Sequence, residues 1–217
     1  MKQQDSLFQK NLRNLLLDQI ATDQSISAHV IDAMREVPRQ FFVEDYQQEE
    51  AYEDKPLPIE GGQTISQTTT VAIQTNLLNV KKGDKVLEIG SGSGYQAAIL
   101  HQMGCKVYSI ERLERLHNLA KKNLTKIGFE KDIVLIHGDG FEGLPGFAPF
   151  DGIVVTCGAA QMPEKLKEQL SVGGRLVVPV GKDMQEMMVV EMIDENIFET
   201  TNAGFFKFVP MIKGTGY

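Results

Sequence analysis

Val86-Leu87-Glu88-Ile89-Gly90-Ser91-Gly92-Ser93-Gly94-Tyr95 is the stretch that decides the fold of this chain. The apolar run from Val86 to Ile89 leads into a turn with glycine at every second position, and residues 96–103 then follow a helical pattern. A strand, a tight turn and a helix N-terminus in this order leave backbone N–H groups free to face a polar ligand. The sequence therefore predicts a ligand cradle at this turn.

The composition indicates a single globular domain. The chain has 217 residues, of which 42% are hydrophobic and 24% charged, and this is enough for a sizeable core. Its 22 basic and 29 acidic residues give a net charge of -7, which offers no electrostatic reason to bind a phosphate backbone. We therefore expect no nucleic-acid partner.

The cysteines and the hydropathy indicate a soluble cytoplasmic protein. Cys105 and Cys157 fall inside predicted strands, where buried reduced thiols are expected; a metal site would need more ligands at closer spacing. We expect no metal, and a reducing compartment. The polar residues 1–5 lead to no long apolar segment, and no run reaches the ~18 apolar residues that span a bilayer, so we expect no membrane partner.

Two amphipathic helices are predicted before the glycine turn. The first runs from Ser6 to about Leu17, with an apolar face of Phe8, Leu12, Leu15 and Leu16. The second lies between Ser25, as its N-cap, and Pro38, as its stop, with an apolar face of Ile26, Val30, Ala33, Met34 and Val37.

Prolines exclude a helix from residues 52–59, which we predict to be extended. The hydroxyl-bearing stretch Thr64-Ile65-Ser66 then opens a helix. Two interpretations of Ser66 stay open, the N-cap of that helix or, together with Thr64, a hydroxyl donor to a bound carboxylate. The surrounding residues do not form the G-x-S-x-G elbow, and no His or Cys pattern lies nearby, which disfavours a hydrolytic nucleophile.

Carboxylates follow the next two predicted strands. The strand over residues 105–111 ends at Glu111, 21 residues after Gly90, where nucleoside-binding sheets place an acid that accepts hydrogen bonds from ribose hydroxyls. The strand over residues 133–136 leads to Asp139 and Gly140. Asp139 could accept a hydrogen bond from an adenine amino group, and Gly140 would allow the backbone to approach the ligand closely. A solvent-facing acid at Glu111 and a plain turn at Asp139 are the alternatives.

Further strands are predicted over residues 150–158, 175–180, 187–193 and 205–209. A helix is predicted from Pro163 to about Leu170, and a turn at residues 172–174. The alternation of strands and helices predicts an α/β fold with a doubly wound, mostly parallel sheet and antiparallel strands at the C-terminal end.

Two nucleoside cofactors compete for this architecture, NAD(P) and S-adenosylmethionine. The dinucleotide fingerprint requires glycine or alanine three positions after its second glycine, where this chain has Tyr95. Glu88, two residues before the first glycine, is unfavourable beside a pyrophosphate but suits the ammonium of a methionine moiety. The pattern therefore favours S-adenosylmethionine.

The glycine turn resembles that of class I methyltransferases, and six other blocks resemble the protein-L-isoaspartate(D-aspartate) O-methyltransferase family. In chain order they are Tyr52–Ile59, Gly62–Gln67, Gly138–Gly140, Pro149–Asp151, Gly173–Gly181 and Phe208–Ile212. Thr64-Ile65-Ser66 is the most specific part, because generic methyltransferases lack it. The chain departs from the family at Thr68-Thr69-Thr70, where a proline and a bulkier residue are usual, so the resemblance does not extend to the detailed shape of the substrate mouth.

The resemblance implies a Rossmann-like repair enzyme that uses S-adenosylmethionine to methylate the α-carboxylate of L-isoaspartyl residues in damaged proteins and peptides. The ester then closes to a succinimide that can reopen as normal aspartate. Ser66 corresponds to the active-site residue, and Thr64 and Ile65 hold the substrate. The expected cofactor-binding residues are Glu88, Gly90, Ser91, Gly92, Gly94, Glu111, Arg112, Asp139 and Gly140.

We expect a monomer with one methyltransferase domain. Residues 1–80 would form its helical, substrate-binding part, and residues 81–217 its cofactor-binding sheet and C-terminal strands. Two other functions stay open. One is a class I methyltransferase for a small molecule or another macromolecule, with residues 64–66 as a helix cap, and the other is a nucleoside-binding module without turnover.

Overall fold

The computed structural model describes residues 5–216. Residues 1–4 of the polar N-terminal stretch, and residue 217, the last of the predicted sheet part, lie outside the described residues. The helices are α1 (Leu7–Ile20), α2 (Ala28–Glu36), α3 (Thr68–Leu78), α4 (Tyr95–Gln102), α5 (Glu114–Ile127) and α6 (Glu164–Lys167). The strands are β1 (Leu57–Ile59), β2 (Gln63–Ile65), β3 (Lys85–Ile89), β4 (Lys106–Glu111), β5 (Val134–His137), β6 (Phe150–Val155), β7 (Leu170–Val180), β8 (Gln185–Asp194) and β9 (Ile197–Phe206).

In the described part of the chain, β3 to β9 form a seven-stranded sheet in the order β5-β4-β3-β6-β7-β8-β9. The first five strands in this order are parallel to one another. β8 pairs antiparallel with β7, and β9 pairs antiparallel with β8. The predicted α/β fold is therefore confirmed. The strand order reverses between β3 and β6, and in open α/β sheets ligands bind at the carboxyl ends of the strands beside such a point.

The central strand β3 is buried on both faces, as its apolar run predicts. Val86 belongs to the core that the sheet shares with α1 to α5, whereas Leu87 and Ile89 belong to the core on the opposite face. That second core is covered by α6 and by neighbouring loops. Packing on both faces fixes the end of β3, and so it fixes the position of the glycine turn.

The apolar face predicted for α1 is wrong in part. Phe8 and Leu15 are 66% and 59% exposed, and the inner stripe consists of Arg13, Leu16, Leu17 and Ile20. Arg13 can be buried because Asp5 lies 2.7 Å from its guanidinium and the Tyr52 hydroxyl accepts a further hydrogen bond. The inner face of α1 therefore includes a partly buried ion pair in place of a purely apolar stripe.

The N-cap predicted for α2 is also wrong. The helix begins at Ala28 with Ser27 as its N-cap. The backbone N–H and the hydroxyl of Ser25 both donate to Asp23, at 2.9 and 2.7 Å, so Ser25 belongs to the preceding turn. Among the described helices, none is long and apolar enough to cross a membrane.

Three predicted boundaries near the C-terminus are wrong. The turn at residues 172–174 lies inside β7, because the pairing with β6 shifts between Phe150 and Gly152 and the bulge takes up the glycines. The helix predicted from Pro163 to Leu170 is only α6, since Leu170 already begins β7. The final strand is β9 and not residues 205–209, because it forms a long hairpin with β8.

Cys105 and Cys157 are both free, but neither lies in a strand. Cys105 directly precedes β4, and Cys157 follows β6 by two residues. The strands are shorter than the apolar runs that predicted them.

Candidate active site

A cleft opens at the carboxyl ends of β3, β4 and β6, with about 930 Å³ of space including its mouth. Most of its lining comes from residues 63–66, the glycine turn with the start of α4, the ends of the parallel strands with the residues that follow them, and residues 209–212. Val71 and Gln74 of α3 and Leu116 of α5 complete it. Ten of the twelve predicted site residues line this cleft. They are Thr64, Ile65, Ser66, Glu88, Gly90, Ser91, Gly92, Glu111, Arg112 and Gly140.

The glycine turn is held against the end of β6 by Thr156. The Thr156 hydroxyl lies 3.0 Å from the Ile89 carbonyl and 2.7 Å from that of Gly90. Gly90 has a φ of 97°, and a Cβ there would come within 2.6 Å of the Thr156 oxygen, so only glycine fits. Gly94 does not line the cleft; it is the N-cap of α4.

The Glu111 carboxylate connects the tip of β4 to the glycine turn. One oxygen accepts the N–H of Gly92 at 2.9 Å, and the other accepts the N–H of Leu113 at 3.0 Å. Each carboxylate oxygen has a second lone pair, so the group can still accept hydrogen bonds from a ligand. Its place in the cleft wall supports the predicted contact with ribose hydroxyls.

Glu88 is fully buried and lines the same cleft. The Ser109 hydroxyl donates to one of its oxygens, whereas the other, Oε1, has no partner among the described residues. Burial, with a smaller contribution from the charge of Glu111, raises the pKa of the Glu88 carboxyl to about 8. In the ligand-free protein this carboxyl therefore keeps its proton at neutral pH, and a cation bound in the cleft would favour its ionised, accepting form.

Asp139 does not line the cleft. Its two oxygens accept the backbone N–H groups of Phe141, at 3.0 Å, and Gly214, at 2.8 Å. The neighbouring Gly140 does line it, and a Cβ at this position would overlap the side chain of Ile89. Asp139 therefore ties the C-terminal segment to the tip of β5, while Gly140 allows the backbone to approach the cleft.

Ser66 is half-buried in the cleft wall, and it is not the N-cap of α3. The prediction that Ser66 is the N-cap is wrong, because the Asp54 carboxylate, which lies outside the helix, accepts the hydrogen bonds at the start of α3. The Asp54 carboxylate accepts the Thr69 N–H at 2.9 Å, the Thr69 hydroxyl at 2.6 Å and the Gln67 side-chain amide at 3.0 Å. The helix therefore does not use the Ser66 hydroxyl, and this favours its interpretation as a donor.

Sequence reasoning did not assign residues 209–212 to the site. They line the cleft because Gly158 donates to Val209 and Met211 donates to Gly158, both at 2.8 Å, beyond the end of β6. The resemblance of Phe208–Ile212 to a known family was the only signal for them. Gln96 and Thr156 were also missed, since nothing in the local pattern separates them from core positions.

Cys157 lines the cleft but is not suited to nucleophilic attack. Burial raises the pKa of its thiol to about 12, so the thiolate is scarce at neutral pH. Within residues 5–216, no three His, Cys, Asp or Glu side chains are grouped so that they could hold a metal ion.

Comparison with known proteins points to one family. Residues 10–216 match the family model described as protein-L-isoaspartate(D-aspartate) O-methyltransferase. A Flavobacterium psychrophilum protein named protein-L-isoaspartate O-methyltransferase is 45% identical over 209 residues, which cover 96% of this chain and 98% of that protein.

Two solved structures are similar over nearly the whole chain. A structure described as protein-L-isoaspartate O-methyltransferase has a TM-score of 0.84 and 29% identity, and the match covers 94% of this chain and 67% of the other. A Plasmodium falciparum structure of the same description, in complex with S-adenosyl-L-homocysteine, has a TM-score of 0.83 and 26% identity, with coverage of 93% and 99%.

Proposed function

The chain belongs to the protein-L-isoaspartate(D-aspartate) O-methyltransferase family, and on that premise we propose that its cleft carries out protein repair. It transfers a methyl group from S-adenosylmethionine to the α-carboxylate of L-isoaspartyl residues in damaged proteins and peptides. One observation carries the proposal. The hydroxyl-bearing residues 64–66 and the carboxylates of Glu88 and Glu111 line a single cleft, so that donor and acceptor can meet there.

The residues of the cleft fit the parts of S-adenosylmethionine. The unpartnered Oε1 of Glu88 can accept from the methionine ammonium, and Glu111 can accept from ribose hydroxyls. Gly90, Ser91, Gly92 and Arg112 line the same cleft, and Gly140 would allow close approach of the backbone to the adenine. When bound, this cofactor supplies an electrophilic methyl group on a positively charged sulfur.

Asp139 and Gly94 belong to the proposed cofactor site in supporting roles. Asp139 fixes the turn that presents Gly140, and its oxygens retain lone pairs that can accept from an adenine amino group. Gly94 ends the glycine turn and starts α4, which places the backbone N–H groups of the turn.

Ser66, Thr64 and Ile65 are proposed to hold the acceptor. A peptide α-carboxyl has a pKa of roughly 3.5, so it is already ionised at neutral pH and needs no general base. The Ser66 hydroxyl can donate to one carboxylate oxygen and leave the other free to attack. Catalysis then depends on alignment, which can lower a barrier by roughly 7 to 11 kcal/mol in favourable cases.

We propose that the enzyme acts as a monomer in the cytoplasm, without a nucleic-acid or membrane partner. The net charge of -7 supports the absence of a nucleic-acid partner, and the two free cysteines support a reducing compartment. We also propose one domain, in which residues 1–80 bind the substrate and residues 81–217 bind the cofactor.

A matched pair of peptides tests the function. The purified protein is incubated with S-adenosylmethionine and either an isoaspartyl peptide or the same peptide with normal aspartate, and S-adenosylhomocysteine and methyl ester are measured. We expect both products with the isoaspartyl peptide only. Equal methylation of the two peptides, or of neither while another acceptor is methylated, would contradict the proposed substrate.

A further inference from the structure

Gln96 is a buried polar residue of the cleft that the proposed mechanism does not use. It is the second residue of α4, directly after the glycine turn, and is only 6% exposed. It lines the same cleft as Glu88, and its side-chain Oε1 has no hydrogen-bond partner among the described residues. The residues that line this cleft therefore include two with a buried side-chain oxygen, one on β3 and one on α4, that has no hydrogen-bond partner among the described residues.

The orientation of the Gln96 amide is fixed by its neighbour Thr75. The Thr75 hydroxyl donates to the Val71 carbonyl at 2.7 Å, so the Thr75 oxygen can only accept from Gln96. The amide nitrogen of Gln96 lies 2.9 Å from that oxygen and makes this hydrogen bond. The carbonyl oxygen of Gln96 is therefore the atom left without a partner.

The position of Gln96 indicates which ligand group it faces. Thr75 belongs to α3, which packs against β6 and β7, whereas Glu111 ends β4 and Gly140 follows β5, on the other side of β3. The ribose and adenine sites proposed above are on that other side. Because the Gln96 side chain is held toward α3, we expect its donor to come from the part of the ligand that lies beside Glu88.

We propose that Gln96 is a second acceptor for the amino group of the cofactor, together with Glu88, and that it sets the preference of the cleft for ligands with a primary ammonium. An ammonium has three N–H donors, enough for Gln96 and for the Glu88 carboxylate that its charge would ionise. This inference rests on the proposed function, because it assumes that S-adenosylmethionine occupies the cleft.

The stability of the ligand-free protein separates this role from a structural one. Replacing Gln96 by Met keeps the length of the side chain and its helix preference. It removes an unsatisfied buried acceptor and leaves no new orphan, since the Thr75 hydroxyl keeps its bond to Val71. We therefore expect Gln96→Met to leave the Tm of the ligand-free protein unchanged or to raise it, whereas loss of a structural residue lowers it.

Titration calorimetry with three ligands tests the proposal. They are S-adenosylhomocysteine, its analogue with hydrogen in place of the amino group, and 5′-methylthioadenosine, which lacks the whole amino-acid part. Gln96→Met should weaken the first by roughly 10- to 100-fold, the range for a hydrogen bond to a charged group. Affinity for the other two should not change. Gln102→Met, on the exposed end of the same helix, is the matched control and should behave as wild type.

The other outcomes distinguish an incorrect role for Gln96 from an incorrect cofactor. Equal weakening of all three ligands, a lower Tm, or unchanged binding of S-adenosylhomocysteine would overturn the role of Gln96. Failure of the wild-type protein to bind S-adenosylhomocysteine would instead refute the proposed cofactor.

Discussion

Ser66 lies half-buried in the cleft, and its hydroxyl does not cap α3, because the Asp54 carboxylate accepts the Thr69 N–H at the start of that helix. We expect Ser66→Ala to lower kcat/KM for an isoaspartyl peptide by roughly 10- to 100-fold, because one hydrogen bond to a charged carboxylate is lost. Binding of S-adenosylhomocysteine should survive, as measured by titration calorimetry. If the variant no longer binds S-adenosylhomocysteine, then Ser66 is structural or belongs to the cofactor site.

Glu88 makes the stability of the ligand-free protein depend on pH. Burial raises the pKa of its carboxyl from 4.5 to about 8, so the folded state keeps a proton that the unfolded state has lost between these values. Its contribution is therefore fully present below pH 4.5 and is lost as pH rises through 8. We expect this group to lower the free energy of unfolding by on the order of 3 to 4 kcal/mol between about pH 5 and pH 9.

Urea unfolding at both pH values measures this effect, and Glu88→Gln is the control. Glutamine is close in shape to a protonated glutamate but does not ionise in this range, so the part of the slope that belongs to Glu88 should disappear. The same pH dependence in wild type and variant would show that other groups cause it. Saturating S-adenosylhomocysteine should also flatten the wild-type slope, since a nearby ammonium favours the ionised carboxylate.

At the scale of elements, Asp54 joins the loop before β1 to the start of α3. Three hydrogen bonds of 2.6 to 3.0 Å hold Gln67 and Thr69 to its carboxylate. Because Ser66 immediately precedes Gln67, this cap also fixes the segment that is proposed to hold the substrate. Thr69, one of the three threonines that depart from the family pattern, therefore helps to hold this segment through its bonds to Asp54.

We expect Asp54→Ala to lower the free energy of unfolding by about 1 kcal/mol, the usual cost of losing an N-cap, and to raise KM for an isoaspartyl peptide. Thr69→Val removes one of the three hydrogen bonds and should have a smaller effect on both. Urea unfolding and steady-state kinetics measure these changes, and affinity for S-adenosylhomocysteine is the internal reference. Unchanged KM in Asp54→Ala would show that the cap does not position the substrate segment.

The elements that sequence reasoning predicted well are those whose signal is local. The run Val86 to Ile89, its glycine turn and the amphipathic α5 that ends before Gly128 all follow from neighbouring residues. The predictions that failed depended on distant partners. A turn was expected at Gly173 and Gly174, but pairing with β6 carries β7 through them.

The candidate site shows the same division. Glu88, Glu111 and Gly140 could be predicted because each lies near or just beyond the carboxyl end of a strand, and parallel strands place these ends at one edge of the sheet. Gln96 and Met211 could not, since their role depends on where α3 and the C-terminal segment pack. The orphan Oε1 of Gln96 is a property of the assembled cleft alone.

At the scale of the whole molecule, the first 80 residues and the sheet share one core. Buried residues of α1, α2 and α3 belong to the same cluster as residues of β3 and α4. The fully buried Arg39 donates to the Ala51 carbonyl at 2.9 Å and lies 5.1 Å from the ring centre of Tyr95, which follows the glycine turn. The proposed substrate-binding part is therefore anchored directly beside the cofactor cradle.

We therefore expect the protein to unfold in one cooperative transition, although it exceeds the roughly 150 residues below which two-state behaviour is usual. Far-UV circular dichroism and tyrosine fluorescence, which the absence of tryptophan makes usable, should give coincident urea curves. S-adenosylhomocysteine at about 100 times its Kd should raise the free energy of unfolding by about 2.7 kcal/mol in both curves, because a ligand bound to one part then stabilises the whole molecule.

Residues 81–217 expressed alone should neither fold nor bind this ligand, since helix α4 would lose its packing against α2. Two separate transitions, or a folded fragment that binds S-adenosylhomocysteine, would show that the two parts are independent and that the cleft lies between domains.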